Sequence, residues 1–256
     1  MKKLILSALA LVTLAYIGLC TVLYFQQGAL LYMPQPRAMT DPHHTLPLTT
    51  DAGSTLITTA VQTTGKAVIY FGGNGEDVSR NLSVFRKIFP DRSLYLMHYR
   101  GYGGSDGAPS EQGITRDAAK LYDLVSQQNK DIVLIGRSLG SGVATRLAST
   151  RAPSRLILVT PYSSVEDVAS ERYWGFPVSL LLKDKYESWR YASSVTASTA
   201  ILVADNDAII PLHSSIKLLN HFKQGLAQLY TFEGAGHASI STSQQYYELL
   251  HDLVNQ

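Results

Sequence analysis

A serine flanked by two glycines is the feature of this 256-residue chain that could do chemistry. It lies in the run Gly136-Arg137-Ser138-Leu139-Gly140, a Gly-x-Ser-x-Gly sequence. The apolar run 131–135 before it is typical of a strand buried on both faces, and residues 138–148 favour a helix. A serine on a tight strand-to-helix turn needs small neighbours, because the turn packs against backbone. The pattern predicts a hydroxyl at Ser138 that points out of the sheet and could act as a nucleophile.

A base and an acid follow this serine in the order that such a turn requires. A serine hydroxyl is too weak an acid to attack unaided, so an imidazole must take its proton and a carboxylate must fix the imidazole tautomer. The apolar strand 200–204 runs into Asp205-Asn206-Asp207, and the strand 229–232 is followed by a glycine-rich loop that ends in His237. Because the carboxyl ends of parallel strands share one edge of a sheet, we expect these groups beside Ser138.

Other residues of the same types favour structural roles. Asp207 is preferred as the acid because it occupies the second turn position before Ile-Ile-Pro, and Asp205, interpreted as a loop cap, stays open as the alternative. Ser141 and Ser163 are interpreted as structural, one inside the helix and one in a turn. Surface or packing positions are expected for five more histidines: His43, His44, His213, His221 and His251.

The chemistry also needs N–H groups that receive the charge developing on a substrate oxygen. Leu139, directly after the serine, supplies one. A second is expected from the loop after the strand 66–71, where small residues in the run 72–75 let the backbone approach closely. Asn74 is the preferred donor, with Gly73 beside it. A phosphate-binding loop is disfavoured here because the Lys-Ser/Thr ending of a P-loop is missing.

These motifs resemble the α/β-hydrolase superfamily, and within it the Bem46-like membrane-anchored serine hydrolases related to the mammalian α/β-hydrolase domain 12, 13 and 17 proteins. The similarity spans residues 30–256 and is carried by the serine turn, by Asp207 and His237 with their flanks, and by the runs 31–35, 73–75, 99–107 and 109–111. It implies an α/β fold with a mostly parallel, doubly wound sheet of about eight strands and a small cap. It also implies Ser138 as nucleophile, Asp207 as acid and His237 as base.

Three residues depart from the family pattern. Gly72 stands where the family usually has histidine ahead of the oxyanion glycine and asparagine, which leaves open how that loop is held. His98 replaces an aspartate before Tyr-Arg-Gly, and we interpret it as a satisfied histidine at a strand end. Ala204 replaces a common glycine. None of the three removes a triad member.

The N-terminus predicts a membrane anchor. After Lys2 and Lys3 the chain carries no charge until Arg37, and the uncharged run 4–31 is long enough to span a bilayer as a helix. The two lysines favour a cytoplasmic N-terminus, with the hydrolase facing outward, which would be into the periplasm if the source is a Gram-negative bacterium. Signal cleavage after Ala15 is the alternative.

We therefore divide the chain into an anchor, residues 1–30, and a catalytic domain, residues 31–256, with a short cap within 162–195. Net charge is +2, and no basic cluster with interleaved aromatics appears, which argues against a nucleic-acid binder. The lone cysteine, Cys20, can form no intrachain disulfide. No metal-ligand cluster is visible and no cofactor is predicted.

The expected activity is cleavage of carboxyl esters or thioesters of small or lipid-like acyl substrates, the lipid-like character following from the anchor alone. Candidate substrate-binding residues are Tyr102, Tyr162 and Trp174, which are equally plausible as core or membrane-facing positions. A serine peptidase with the same triad and a non-catalytic, membrane-tethered interaction protein stay open as alternatives.

Overall fold

The computed structural model describes all 256 residues. The chain folds into one eight-stranded sheet with helices on both faces. The strands are β1 (Thr45–Thr50), β2 (Gly53–Ala60), β3 (Lys66–Phe71), β4 (Ser93–Met97), β5 (Asp131–Arg137), β6 (Arg155–Val159), β7 (Ser198–Ala204) and β8 (Ala227–Phe232). The helices are α1 (Lys2–Leu31), α2 (Leu82–Ile88), α3 (Glu111–Val125), α4 (Leu139–Ala148), α5 (Val165–Arg172), α6 (Val178–Leu181), α7 (Ser188–Ala192), α8 (Leu212–Leu219) and α9 (Gln244–Asn255).

The strand order is β1-β2-β4-β3-β5-β6-β7-β8. β2 pairs antiparallel with β1 and with β4, whereas the six strands from β4 to β8 run parallel. The prediction of a mostly parallel, doubly wound sheet of about eight strands is confirmed. The sequence did not reveal β1, an edge strand in which only Leu48 is buried. Its Pro47 fits such an edge, because a proline donates no ladder hydrogen bond.

Both faces of the central strands are buried, as their continuous apolar sequences predict. In β3, Ile69 and Phe71 belong to the core cluster that lies beneath α3, α4 and α8. Val68 and Tyr70 of the same strand belong to the opposite cluster, which α2 and α9 cover. Period-two alternation therefore assigns each strand residue to one of two cores.

Helix starts follow local capping chemistry. Ser110 precedes α3 and its hydroxyl accepts a hydrogen bond from the Gly113 N–H at 3.2 Å, as the sequence predicts. Residues 78–88 form two helical pieces, because Val78–Asn81 is a 3-10 turn that precedes α2. Asp77 caps that turn by accepting from the Ser79 N–H. The predicted cap region contains three short helices, α5 to α7.

The N-terminal helix α1 has 30 residues and a hydropathy of 2.2 over its most apolar window, so it is long and apolar enough to cross a membrane. None of its residues is buried in the protein. It continues without a linker into the folded domain, since the next residue, Tyr32, is only 4% exposed. The Tyr32 hydroxyl lies 2.8 Å from Asp184 Oδ2 and 3.0 Å from the Tyr186 hydroxyl.

His98 follows β4 and is buried, with its Nε2 2.9 Å from the Thr58 hydroxyl. Burial lowers the pKa of His98 from 6.5 to about 4; the negative charge of Asp77 opposes this change and the positive charge of Arg37 adds to it. The residue that replaces the family's aspartate is therefore a neutral hydrogen-bonding group in the core at neutral pH.

This pKa predicts a specific acid sensitivity. Between pH 6.5 and about 4 the unfolded chain binds a proton at His98 and the folded chain does not. The free energy of unfolding therefore decreases as the pH is lowered through this window. At about 1.4 kcal/mol per pH unit, the loss is about 3 kcal/mol. His98→Gln cannot titrate, and its thermal unfolding midpoint, measured in detergent across that window, should fall less steeply than that of the wild type. Exposed His43→Gln serves as the control; parallel slopes for wild type and His98→Gln would contradict the prediction.

Candidate active site

Ser138 occupies the corner between β5 and α4 with φ +48° and ψ −118°. A non-glycine residue in this region costs about 1–3 kcal/mol, so the surrounding packing must impose the conformation. The Ser138 N–H donates to the Val159 carbonyl of the neighbouring strand at 2.9 Å, and its own carbonyl accepts from the Ser141 hydroxyl at 2.6 Å. Ser141 thus has the structural role that the sequence predicts.

The two flanking glycines permit the close contacts that this corner needs. A Cβ on Gly136 would lie 2.4 Å from the Gly140 carbonyl oxygen. A Cβ on Gly140 would lie 2.1 Å from the Phe71 carbonyl oxygen, at the end of β3. The first turn of α4 therefore packs directly on the sheet and beside the loop that follows β3.

The structure brings Ser138, His237 and Asp207 together, although they come from three different loops. His237 Nε2 lies 2.9 Å from Ser138 Oγ, and His237 Nδ1 lies 2.7 Å from Asp207 Oδ2. The side chain of Asp207 is 3% exposed and that of His237 19% exposed. Asp205, the alternative acid, is exposed and makes no side-chain hydrogen bond.

The Asp207 carboxylate is held on both oxygens. Its Oδ1 accepts from the N–H groups of Ile209 and Ile210, each at 2.8 Å, while Oδ2 faces the imidazole. Burial raises the pKa of Asp207, but the hydrogen bond from His237 and those from the two backbone N–H groups outweigh burial and hold the pKa below its ordinary value. An ionised carboxylate only accepts hydrogen bonds, so Nδ1 carries the proton and Nε2 is free to accept from the serine.

Two backbone N–H groups beside the serine have no acceptor within the protein, those of Leu139 and Asn74. The Leu139 N–H is also the first of α4, where the helix dipole favours negative charge. Gly73 touches the serine, since a Cβ there would lie 3.6 Å from Ser138 Cβ. Its N–H already donates to Glu76 Oε2 at 2.8 Å, which removes Gly73 from the candidate donors.

Glu76 holds the loop after β3, a role that the sequence analysis missed. Besides the Gly73 N–H, its carboxylate accepts from the Tyr70 hydroxyl at 2.7 Å and from Asn81 Nδ2 at 2.6 Å. Arg137, the variable residue before the serine, lies 3.6 Å from Glu76 and donates to the His237 carbonyl at 3.5 Å. Two features of the sequence could have indicated this role of Glu76: the family histidine is absent at position 72, and a glutamate follows four residues later.

The other end of this loop is tied to the N-terminal segment. Asn74 Nδ2 donates to the Leu31 carbonyl at 2.9 Å, and the Asn74 carbonyl accepts from the Tyr102 hydroxyl at 2.7 Å and from the Met33 N–H at 3.3 Å. With its side chain and carbonyl both engaged, Asn74 presents only its N–H.

Of the three candidate substrate-binding residues, two are core residues. Tyr102 is buried and supports Asn74, and Tyr162 is buried and donates to the Leu139 carbonyl at 3.0 Å. Both therefore hydrogen-bond to the residues whose N–H groups are the candidate oxyanion donors. Trp174 is 88% exposed on the cap. No group of three or more His, Cys, Asp or Glu side chains is arranged as a metal site.

Comparisons with known proteins agree with this architecture. A protein-family model described as serine aminopeptidase, S33, matches residues 62–182. An uncharacterised protein of Mycobacterium tuberculosis (strain H37Rv) is 31% identical over 229 residues, which cover 84% of this chain and 82% of that protein. Lysophosphatidylserine lipase ABHD12 of Danio rerio is 30% identical over 185 residues, which cover 61% of this chain. The match spans only 48% of that lipase.

A solved structure shows the same fold. The esterase Pf2001 of Pyrococcus furiosus superposes with a TM-score of 0.69 at 15% identity, covering 88% of this chain and 98% of the esterase. At that identity the likeness concerns the fold alone. Since the sheet order, the strand-to-helix serine corner and relatives at 30% identity and above all agree, this chain belongs to the α/β-hydrolase superfamily, with relatives that include ABHD12.

Proposed function

We propose that this protein is a membrane-anchored serine hydrolase that cleaves carboxyl esters or thioesters of small or lipid-like acyl groups through an acyl-enzyme. Acyl hydrolysis is the activity named for its lipase relative and its esterase structural neighbour. The observation that carries the finer proposal is the continuous hydrogen-bonded chain from Asp207 through His237 to Ser138, beside two unpaired N–H groups. Each component has the chemical form that acyl transfer needs.

In the first half-reaction Ser138 Oγ attacks the acyl carbonyl carbon while His237 Nε2 takes its proton. The charge that develops on the carbonyl oxygen is received by the N–H groups of Leu139 and Asn74. Asp207 stabilises the imidazolium that forms, and being ionised it needs no proton of its own. Collapse of the tetrahedral intermediate expels the alcohol or thiol, which His237 protonates.

In the second half-reaction a water molecule gives its proton to His237 Nε2 and attacks the acyl-Ser138 carbonyl. The same two N–H groups receive the oxyanion, and collapse returns the proton to Ser138 Oγ and releases the carboxylic acid. The two halves differ in the attacking group and in the leaving group, whereas His237 and the two N–H groups act in both.

A serine peptidase is the second candidate, and the description of the matching family model favours it. The same residues would act, with an amine as the leaving group. A comparison of chromogenic esters with aminoacyl and peptidyl anilides separates the two, since faster turnover of the anilides would favour the peptidase.

We also propose that α1 anchors the protein, with residues 1–30 as the anchor and 31–256 as the catalytic domain. Its 30 residues span about 45 Å, which exceeds the 30 Å hydrocarbon core. Lys2 and Lys3 lie at one end and the next charge is Arg37, so the positive-inside preference puts the N-terminus in the cytoplasm and the site on the other side.

Ser138→Ala tests the catalytic proposal. The variant should lose fluorophosphonate labelling completely and lower kcat for a short chromogenic ester by about 10⁴-fold or more, because only binding and the N–H donors remain. Ser141→Ala, three residues along the same helix, is the matched control and should still label. An intact protein that neither labels nor turns over ester or anilide would instead support a non-catalytic interaction protein.

Glu76→Ala tests how the oxyanion loop is held. Without the carboxylate the Gly73 N–H loses its acceptor and the loop that carries Asn74 is released; since loss of one oxyanion donor costs about 10²–10³ in kcat, we expect a loss of about tenfold or more. KM should change little, and Glu76→Gln, which retains an acceptor oxygen, should recover part of the rate. Glu248→Ala, which changes an exposed residue of α9, is the control. An unchanged kcat in Glu76→Ala would refute this role.

An uncleaved anchor predicts a membrane protein with its first residues present. After alkaline carbonate extraction the full-length chain should remain in the membrane pellet, because α1 stays embedded. Mass spectrometry of the purified protein should recover peptides from residues 1–15. A mature chain that begins at Tyr16 and is released by carbonate would establish signal cleavage after Ala15 instead.

A further inference from the structure

An apolar groove runs between the last turns of α1 and the cap. Ten of the eleven residues that line it are hydrophobic. The one polar lining residue, Gln27, turns its amide to the cap backbone: Nε2 donates to the Leu181 carbonyl at 2.9 Å and Oε1 accepts from the Lys183 N–H at 2.7 Å. The groove surface is therefore almost entirely apolar.

One wall of this groove is the helix that we propose to be the membrane anchor. The cap follows that helix over a long distance, from Gln27 down to Tyr16. The Tyr16 hydroxyl donates to the Gly175 carbonyl at 2.9 Å, and its ring stacks on Phe176 with centroids 5.9 Å apart. From Leu31 to Tyr16 the helix descends about 22 Å.

This descent takes the tip of the cap to the depth of the hydrocarbon. The polar residues Gln26 and Gln27 mark the upper end of the uncharged helix, and Tyr16 lies ten residues, or about 15 Å, below them. Exposed apolar side chains crowd this tip: Trp174 is 88% exposed and Leu180 81% exposed. Such side chains are stable beside lipid and costly in water. With α1 embedded as we propose, the lower end of the groove lies beside the bilayer.

One residue at the upper end of the groove is hydrogen-bonded to the oxyanion loop. Leu31 lines the groove, and its carbonyl accepts the hydrogen bond from Asn74 Nδ2. On the other wall, Val165 lies on the segment that follows β6, the strand that pairs with β5 directly before Ser138. Both walls thus begin at elements that flank the proposed nucleophile, and the α1 wall from Leu23 to Leu31 extends about 12 Å from there.

We propose that this groove is the acyl-chain site of the enzyme, that α1 forms half of it, and that it receives the single acyl chain of a substrate from the surrounding bilayer. The inference rests on the proposed function, because it assigns the substrate of that same Ser138. A single hydrocarbon chain fits an apolar groove that lies along the proposed anchor and has one lining residue, Leu31, hydrogen-bonded to the oxyanion loop. The helix is then part of the binding site as well as an anchor.

Photo-crosslinking tests the position of the chain directly. The full-length protein in phosphatidylcholine nanodiscs is treated with a long-chain alkyl fluorophosphonate that carries a diazirine near the chain end. Ser138 Oγ displaces fluoride from phosphorus, and ultraviolet light then expels N₂ and inserts the carbene into nearby bonds. Crosslinks in residues 23–31 and 165–182 support the proposal. Crosslinks elsewhere on a protein labelled at Ser138 overturn it while leaving the hydrolase proposal intact; absence of labelling at Ser138 overturns both.

Groove-filling variants test the consequence for selectivity. Leu23→Trp on the anchor wall and Ala169→Phe on the cap wall should each lower the ratio of kcat/KM for a long-chain ester to that for an acetate ester by about tenfold, since a bulky ring that displaces about two methylenes removes roughly that much binding. The matched controls, Val22→Trp and Ala29→Phe, change exposed residues of α1 outside the groove and should keep the wild-type ratio. An unchanged ratio in both filled variants, with acetate hydrolysis retained, would overturn the proposal.

Discussion

The absence of a side chain at Gly140 sets the distance between the first turn of α4 and the end of β3. A Cβ at this position would lie 2.1 Å from the Phe71 carbonyl oxygen, so any other residue would push the helix off the sheet. That close packing puts the Leu139 N–H, at the positive end of a helix, beside the loop that carries Asn74. Neither donor has an acceptor within the protein. The proposed capacity to stabilise an oxyanion thus depends on backbone packing, while the side chains of Glu76 and Tyr102 hold the loop in position.

The same packing maintains the unfavourable backbone of Ser138. The strain energy of its positive φ is offset by the burial of nine residues of α4 and by the hydrogen bond from the Ser138 N–H to the Val159 carbonyl. Burial of this kind contributes on the order of 1 kcal/mol per side chain, which readily exceeds a strain of about 1–3 kcal/mol. Arg137 then joins the serine corner to the other two loops, because it contacts both Glu76 and the His237 carbonyl. One edge of the sheet thus holds groups from four separate segments of the chain, and the charged side chain of Arg137 connects three of these segments.

The sequence could predict those features whose signal lies within one short stretch of the chain. Continuous apolar runs predicted β3, β5 and β7 because those strands are buried on both faces, and the residues at their ends pointed to one sheet edge. The edge strand β1 was not predicted, because its side chains are mostly exposed and form no continuous apolar run. The roles of Glu76 and Arg137 were not predicted, because they arise from a contact between two segments that are 61 residues apart in sequence. Tyr102 and Tyr162 were equally plausible as pocket or core residues, since an aromatic side chain suits both and only packing decides between them.

The boundary between the N-terminal helix and the domain is clear in the composition of the chain, but contacts cross it in the structure. Composition divides the chain near residue 30, where the uncharged run ends. Domain boundaries ordinarily fall in exposed linkers that few contacts cross. Here Tyr32 is buried and bonded to Asp184 and Tyr186 of the cap region, and Leu31 is bonded to Asn74. A tilt or rotation of α1 in a membrane would therefore act on the cap and on the oxyanion loop together. The residues that connect the helix to the domain therefore also contact the cap region and the loop that carries Asn74.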